Sequence, residues 1–260
     1  MTEKDGAIYL IVNADDFGLS EGVNQGIIDA HERGIVASTS LMVREKAAAA
    51  AAEYAKKNPD LAVGLHVDLG EWFRDTDGQW KPLYERINKD DPGAVKAEVA
   101  AQIRLFRQLM GKNPTHLDSH QHVHRTSPVT EVVRWWGRRL HVPVRHFSKR
   151  VRYCGDFYGA AADGSPDLER VSVDALIRII SSLQPGVTEV LCHAGDDLTL
   201  ATAYREQRRL EVMALTDPSI KRAIREKEAK LVSFATYPRP RKKISWIDRA
   251  TKMFLRAVDA

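Results

Sequence analysis

The stretch LIVNADDFGLSEGVN, residues 10–24, decides how the rest of the chain reads. A β-rich apolar run from Ile8 to Val12 leads into two adjacent carboxylates, Asp15 and Asp16. Ionised neighbours at a strand end repel each other, so the pair costs stability unless a cation offsets it. Beyond them Val23, Ile27, Ile28 and Ala30 recur at helical spacing, and Gly34 is placed to cap the helix end. Strand, acidic turn and helix therefore form the first unit. Asp15 could by itself do no more than cap that helix, because aspartate accepts hydrogen bonds from the free N–H groups of a first turn.

The same unit recurs. Strand patterns at 37–43, 61–69, 115–124, 142–147, 188–195 and 231–237 alternate with helical ones at 46–56, 128–140, 172–183 and 203–228. Another helix carries Val95, Val99, Ile103, Phe106 and Leu109 and is ended by Gly111. Residues 70–92 read as a polar insert and 148–170 as an irregular connection. Such alternation means a parallel sheet covered by helices. Polar, reactive residues close many strands: Asp15 and Asp16, Ser40, His66, Asp118 and His120, His146, and His193. That spread suits the mouth of a barrel, whereas an open doubly wound sheet gathers its chemistry at one switch point. No glycine-rich loop follows the first strand, so a dinucleotide fold has no support. The expected fold is α/β, an irregular TIM-like (β/α) barrel forming a single domain over residues 1–238.

Composition excludes several classes. Of 260 residues 43% are hydrophobic and 28% charged, and no apolar run reaches bilayer-spanning length. Cys154 and Cys192 make neither a disulfide scaffold nor a zinc knuckle, and the N-terminus lacks a signal-peptide core, which together read as a cytoplasmic protein. The net charge of +4 sits in the tail: residues 239–260 hold seven Lys and Arg against two Asp, so the body is close to neutral and nucleic acid is not expected as a partner. In that tail Ile244, Ile247, Phe254 and Val258 fit one stripe of a basic amphipathic helix. Such a helix would dock on the barrel or on a second copy in a homodimer; an anionic membrane surface is the alternative.

The densest chemical signal lies at residues 116–124. His116, His120, His122 and His124 are four of the nine histidines in the chain, and a strand over this segment puts them on one face together with Asp118. Four imidazoles and a carboxylate make a poor core and suit a polar, metal-binding mouth. A divalent ion also answers the repulsion at the first strand. One aspartate can ligate it, and the other, its pKa depressed beside a dication, stays free as a general base. Residue chemistry alone thus points to metal-assisted hydrolysis with the leaving group open.

Four segments together, IVNADDFGLSEGVNQGII, LAVGLHVDL, KNPTHLDSHQHVH and EVLCHAG, resemble the YdjC-like carbohydrate deacetylases in order and spacing. The resemblance implies a barrel that removes acetyl groups from N-acetylated amino sugars or chitooligosaccharide-like substrates. By it, Asp16, His66 and His120 hold one divalent metal, Asp15 is the general base, and His193 protonates the departing amine. Asp118, His122 and His124 are left as supporting or substrate residues. The family implies magnesium, while Asp/His/His ligands suit zinc or another first-row ion. Trp72, Phe73, Trp80 and Tyr84 in the insert are candidates to stack on sugar rings. Two other readings remain: a metal-dependent barrel hydrolase for phosphoesters or non-sugar amides, and a non-catalytic carbohydrate- or metal-binding barrel.

Overall fold

The computed structural model describes residues 6–238 apart from 76, 162–164, 198 and 201–203. The tail 239–260 and the amphipathic helix expected there lie outside the described residues. In chain order the elements are β1 (Ile8–Phe17), α1 (Glu21–Glu32), β2 (Ser38–Leu41), α2 (Ala48–Lys57), β3 (Ala62–Val67), β4 (Gly70–Arg74), β5 (Trp80–Glu85), α3 (Pro92–Met110) and β6 (Leu117–Ser119). They continue with α4 (Val129–Leu140), β7 (Val151–Cys154), α5 (Val173–Ser182), β8 (Gly186–Cys192), α6 (Glu206–Thr216), α7 (Pro218–Glu226) and β9 (Lys230–Leu231).

β1 is buried from Tyr9 to Phe17, and a strand apolar on both faces belongs inside a parallel sheet covered on both sides. The order is β6-β3-β2-β1-β8-β7, all parallel, with β9 pairing the start of β1. Helix ends follow local chemistry. Ser20 accepts from the Val23 N–H at 3.1 Å to start α1. Asp91 and Pro92 start α3, and Gly111, at φ 69°, ends it. Val95, Val99, Ile103, Phe106 and Met110 carry the buried stripe of α3, each contributing about 1.5–3 kcal/mol by leaving water. Among the described residues no helix is long and apolar enough to cross a membrane.

The parallel α/β sheet expected is present as a curled half-barrel, with β7 at one edge and β6, carrying a single bridge to Val144, at the other. Several expectations need correction. Residues 142–147 supply only a single parallel bridge, Leu117 to Val144, because His146 turns the backbone to φ 65° and Val144 O accepts from Phe147 and Ser148. Residues 231–237 shrink to the two-residue β9 followed by a turn in which Thr236 and Tyr237 donate to Ser233 O. The irregular connection contains β7, and the insert folds as the antiparallel hairpin β4–β5. Arg33, in helical conformation, is the C-cap of α1 in place of Gly34. In α3 the last buried apolar position is Met110, with Leu109 half-buried.

Candidate active site

The site forms where the strands end. In a regular strand Asp15 and Asp16 would point to opposite faces. Asp16 instead has φ 68°, and the pairing of β1 with β2 shifts register between Ala14 and Phe17. This left-handed backbone, uncommon for residues with a Cβ though adopted more readily by Asp than by most, lets both carboxylates reach one imidazole. Asp16 Oδ1 is 3.3 Å from His66 Nε2, and Asp15 Oδ2 is 3.9 Å from His66 Nδ1.

His66 and Asp118 face each other across β3 and β6 as register partners. His66 Nδ1 lies 2.8 Å from Asp118 Oδ1 and donates to that carboxylate, which places Nε2 on the Asp16 side of the ring. His120 Nδ1 is 3.1 Å from the same Asp16 Oδ1. Its Nε2 is buried 3.4 Å from Glu71 on the hairpin, without a hydrogen bond among the described residues. One oxygen and two imidazole nitrogens thus converge, with their donor atoms within 4.8 Å of one another. The donor set fits a divalent ion held by Asp16, His66 and His120.

Two arginines compensate the acids. Arg145 is set by the Val144 bridge, its N–H donating to Leu117 O at 3.0 Å. Its guanidinium donates to both oxygens of Asp15 and to Glu189, and lies 3.0 Å from Asp118. Arg208, from α6, donates to Asp16 Oδ2 at 2.6 Å. Burial opposes charge at Asp16, yet Arg208, His120 and His66 hold its carboxyl well below the usual range. At Asp15 burial prevails over Arg145 and pushes the carboxyl up. Burial opposes charge at His66 and His120 too, but the surrounding carboxylates raise both rings, His120 to about 9.

Asn13 links the acids to the sheet floor. Its Nδ2 donates to Asp15 at 2.8 Å and to Ser40 Oγ at 2.9 Å, and Ser40 donates to Asp118 at 2.5 Å.

The row of histidines expected on one face does not exist. β6 ends at Ser119, whose Oγ accepts from the His124 N–H, and Gln121 and His122 take left-handed φ of 48° and 54° in the 3₁₀ turn His120–Arg125. His116 points under the sheet, stacked on Phe234 at 3.8 Å and 3.0 Å from Ser40 Oγ. Burial lowers it to about 3. Gly64 makes room for it, since a Cβ there would lie 2.4 Å from the His116 ring. Only His120 enters the Asp16 cluster; His122 and His124 gather instead with His146.

His193 follows β8 directly. Its ring sits against Tyr158 and Tyr204, with centroids 5.3 and 5.5 Å away, and its buried Nδ1 has no hydrogen-bond partner among the described residues. Burial lowers it to about 3, against the pull of Asp16, so the ring is neutral. The backbone N–H of His193 donates to Glu211, which burial raises to about 8. Of the insert aromatics, Phe73 and Trp80 are exposed, and Trp72 is fixed by Gln121, whose Nε2 donates to Trp72 O at 2.7 Å. Sequence reasoning missed Arg145, Arg208, Glu189 and Glu211; Arg145 stands in a turn, Glu189 in β8 and the other two in α6, and such lone positions carry no spacing signal.

Fold and site together define a parallel α/β protein with a carboxylate–imidazole cluster at its strand ends. The YdjC-like protein family matches residues 9–226, and the chain belongs to that family. A carbohydrate deacetylase from Geobacillus stearothermophilus is 36% identical over 249 residues, covering 88% of this chain and 98% of that protein. A chitooligosaccharide deacetylase from Klebsiella pneumoniae (strain 342) is 34% identical over 256 residues, covering 86% and 97%. Among solved structures, an Enterococcus faecalis V583 protein named for cellobiose-phosphate cleavage superposes with a TM-score of 0.70 at 27% identity, covering 90% of this chain and 100% of that one. A family 4 carbohydrate esterase from Streptomyces lividans shares the fold, with a TM-score of 0.52 at 14% identity over 89% and 96% of the two chains.

Proposed function

We propose that the protein is a metal-dependent N-deacetylase acting on N-acetylated amino sugars or chitooligosaccharide-like substrates. One observation carries the reading: Asp16, His66 and His120 converge as a ligand set while Asp15 stays beside them as a separate carboxylate, in a chain whose relatives are named carbohydrate deacetylases. A divalent ion held by Asp16, His66 and His120, magnesium by family or zinc by ligand type, would supply Lewis acidity toward the acetamide oxygen and water.

The protein's own groups do the rest. Asp118 holds His66 in the tautomer that offers Nε2. Arg145 fixes the Asp15 carboxylate, and Asp15 takes the proton from the attacking water. Burial raises the basicity of Asp15, which suits that transfer. His193, which burial keeps neutral at rest, takes up the proton that the water gave to Asp15, relayed through solvent. It delivers that proton to the departing sugar nitrogen, so that Asp15 is again ionised when acetate and amine separate. Tyr158 and Tyr204 keep its ring in place.

The test is acetate release from N-acetylglucosamine, chitobiose and longer oligomers, with metal-stripped and metal-restored protein. Acetate that appears only with metal supports the reading. Phosphate release from phosphoesters without any acetate release overturns it.

A further inference from the structure

The structure gathers a second set of imidazoles that the proposed reaction leaves unused. His122, His124 and His146 each offer a ring nitrogen, and these atoms lie within 4.8 Å of one another. Among the described residues each ring also has a buried nitrogen without a hydrogen-bond partner: Nδ1 of His122, Nε2 of His124 and Nε2 of His146. Buried polar atoms without partners are rare, and three in one place call for a shared one.

In two of the rings the opposite nitrogen is already engaged. His124 Nδ1 is 2.6 Å from Ser119 Oγ, and His122 Nε2 is 3.2 Å from the Tyr153 hydroxyl. Outer contacts of this kind orient a ligating imidazole and set its tautomer. His122 at φ 54° and His146 at φ 65° both hold left-handed backbone, a strain that persists where surroundings demand it. Arg145 stands close by, but its charge is compensated by Asp15, Asp118 and Glu189.

We propose that His122, His124 and His146 form a second metal site, selective for a zinc-class ion and separate from the Asp16, His66, His120 set. Three neutral imidazoles and no carboxylate favour borderline-soft ions and disfavour magnesium, which prefers oxygen. Three protein ligands leave a fourth tetrahedral position open to water or a substrate oxygen. His122 is two residues from His120, so the two ions would lie in neighbouring parts of the strand-end face.

The experiment is zinc stoichiometry by equilibrium dialysis of the metal-stripped full chain, with wild type, His146→Asn, His120→Ala and the double variant. Asparagine tolerates left-handed backbone, and His146→Gly serves as the second variant; circular dichroism checks that each is folded. The expected result is two ions in wild type, one in each single variant and none in the double variant, with millimolar magnesium failing to displace the ion that His120→Ala retains. Cobalt(II) bound to His120→Ala should show a tetrahedral visible band that His146→Asn abolishes. If wild type and His146→Asn bind the same number of zinc ions, the proposal is overturned. If wild type binds a single ion that His146→Asn loses and His120→Ala keeps, the second site stands and the Asp16 set fails.

Discussion

Arg145 grips Asp15 with both terminal nitrogens, at 2.6 and 2.7 Å, from a position 130 residues later in the chain. The same guanidinium reaches Glu189 at 2.7 Å and Asp118 at 3.0 Å. Asp16 has a different counter-charge, Arg208. Two guanidinium groups, one to each acid, therefore offset the repulsion between the adjacent carboxylates.

Arg145→Met would leave three buried carboxylates without their cation. Breaking a buried network in this way costs about 3–5 kcal/mol, so the urea midpoint should fall sharply. Arg145→Lys should recover only part of the loss, because an ammonium cannot reproduce the two-pronged contact. A midpoint unchanged in Arg145→Met would show that the network is not stabilising.

Asp15→Asn removes the proton acceptor and leaves the three ligands in place. Acetate release should fall by about 10²–10⁴-fold, the range for loss of a general base, while metal stoichiometry stays the same. Near-full activity with metal bound would rule out Asp15 as the base.

Asp118→Asn tests the support behind His66. The loss of its charge should weaken metal affinity by about 10–100-fold, as for other outer partners of ligating histidines. Calorimetric titration reads this directly, and unchanged affinity would reduce Asp118 to a partner of Arg145.

His193→Gln should slow N-acetyl sugar turnover by about 10²–10⁴-fold. An activated ester such as 4-nitrophenyl acetate, whose leaving group needs no proton, should be much less affected. Equal losses on both substrates would argue that His193 positions rather than protonates.

Glu211 gives a pH signature. Burial raises its carboxyl from 4.5 to about 8 in the folded chain. The unfolded chain ionises first, so the stability from this group is full below pH 4.5 and is lost as pH rises through 8. Melting temperature should decline across that window, and Glu211→Gln should flatten the decline. A variant whose profile parallels wild type would place the titration elsewhere.

Periodicity made β1 and α3 legible, because apolar spacing and capping residues are local. Asp15, Asp16, His66 and His120 stood out because each closes a strand pattern. Arg208 did not, since its link to Asp16 joins residues 192 positions apart and only the folded sheet brings them together. The histidine row failed for a local reason: two left-handed residues after Ser119 break the alternation that a strand requires.

The His66–Asp118 contact joins direct register partners on adjacent strands. A slip of β6 by one residue would set Leu117 or Ser119 opposite His66 and leave the ring without its carboxylate. Ion affinity is therefore also a gauge of sheet alignment. Insertions or deletions between β3 and β6 that keep overall helix content but misalign this edge would reveal themselves first in a metal titration.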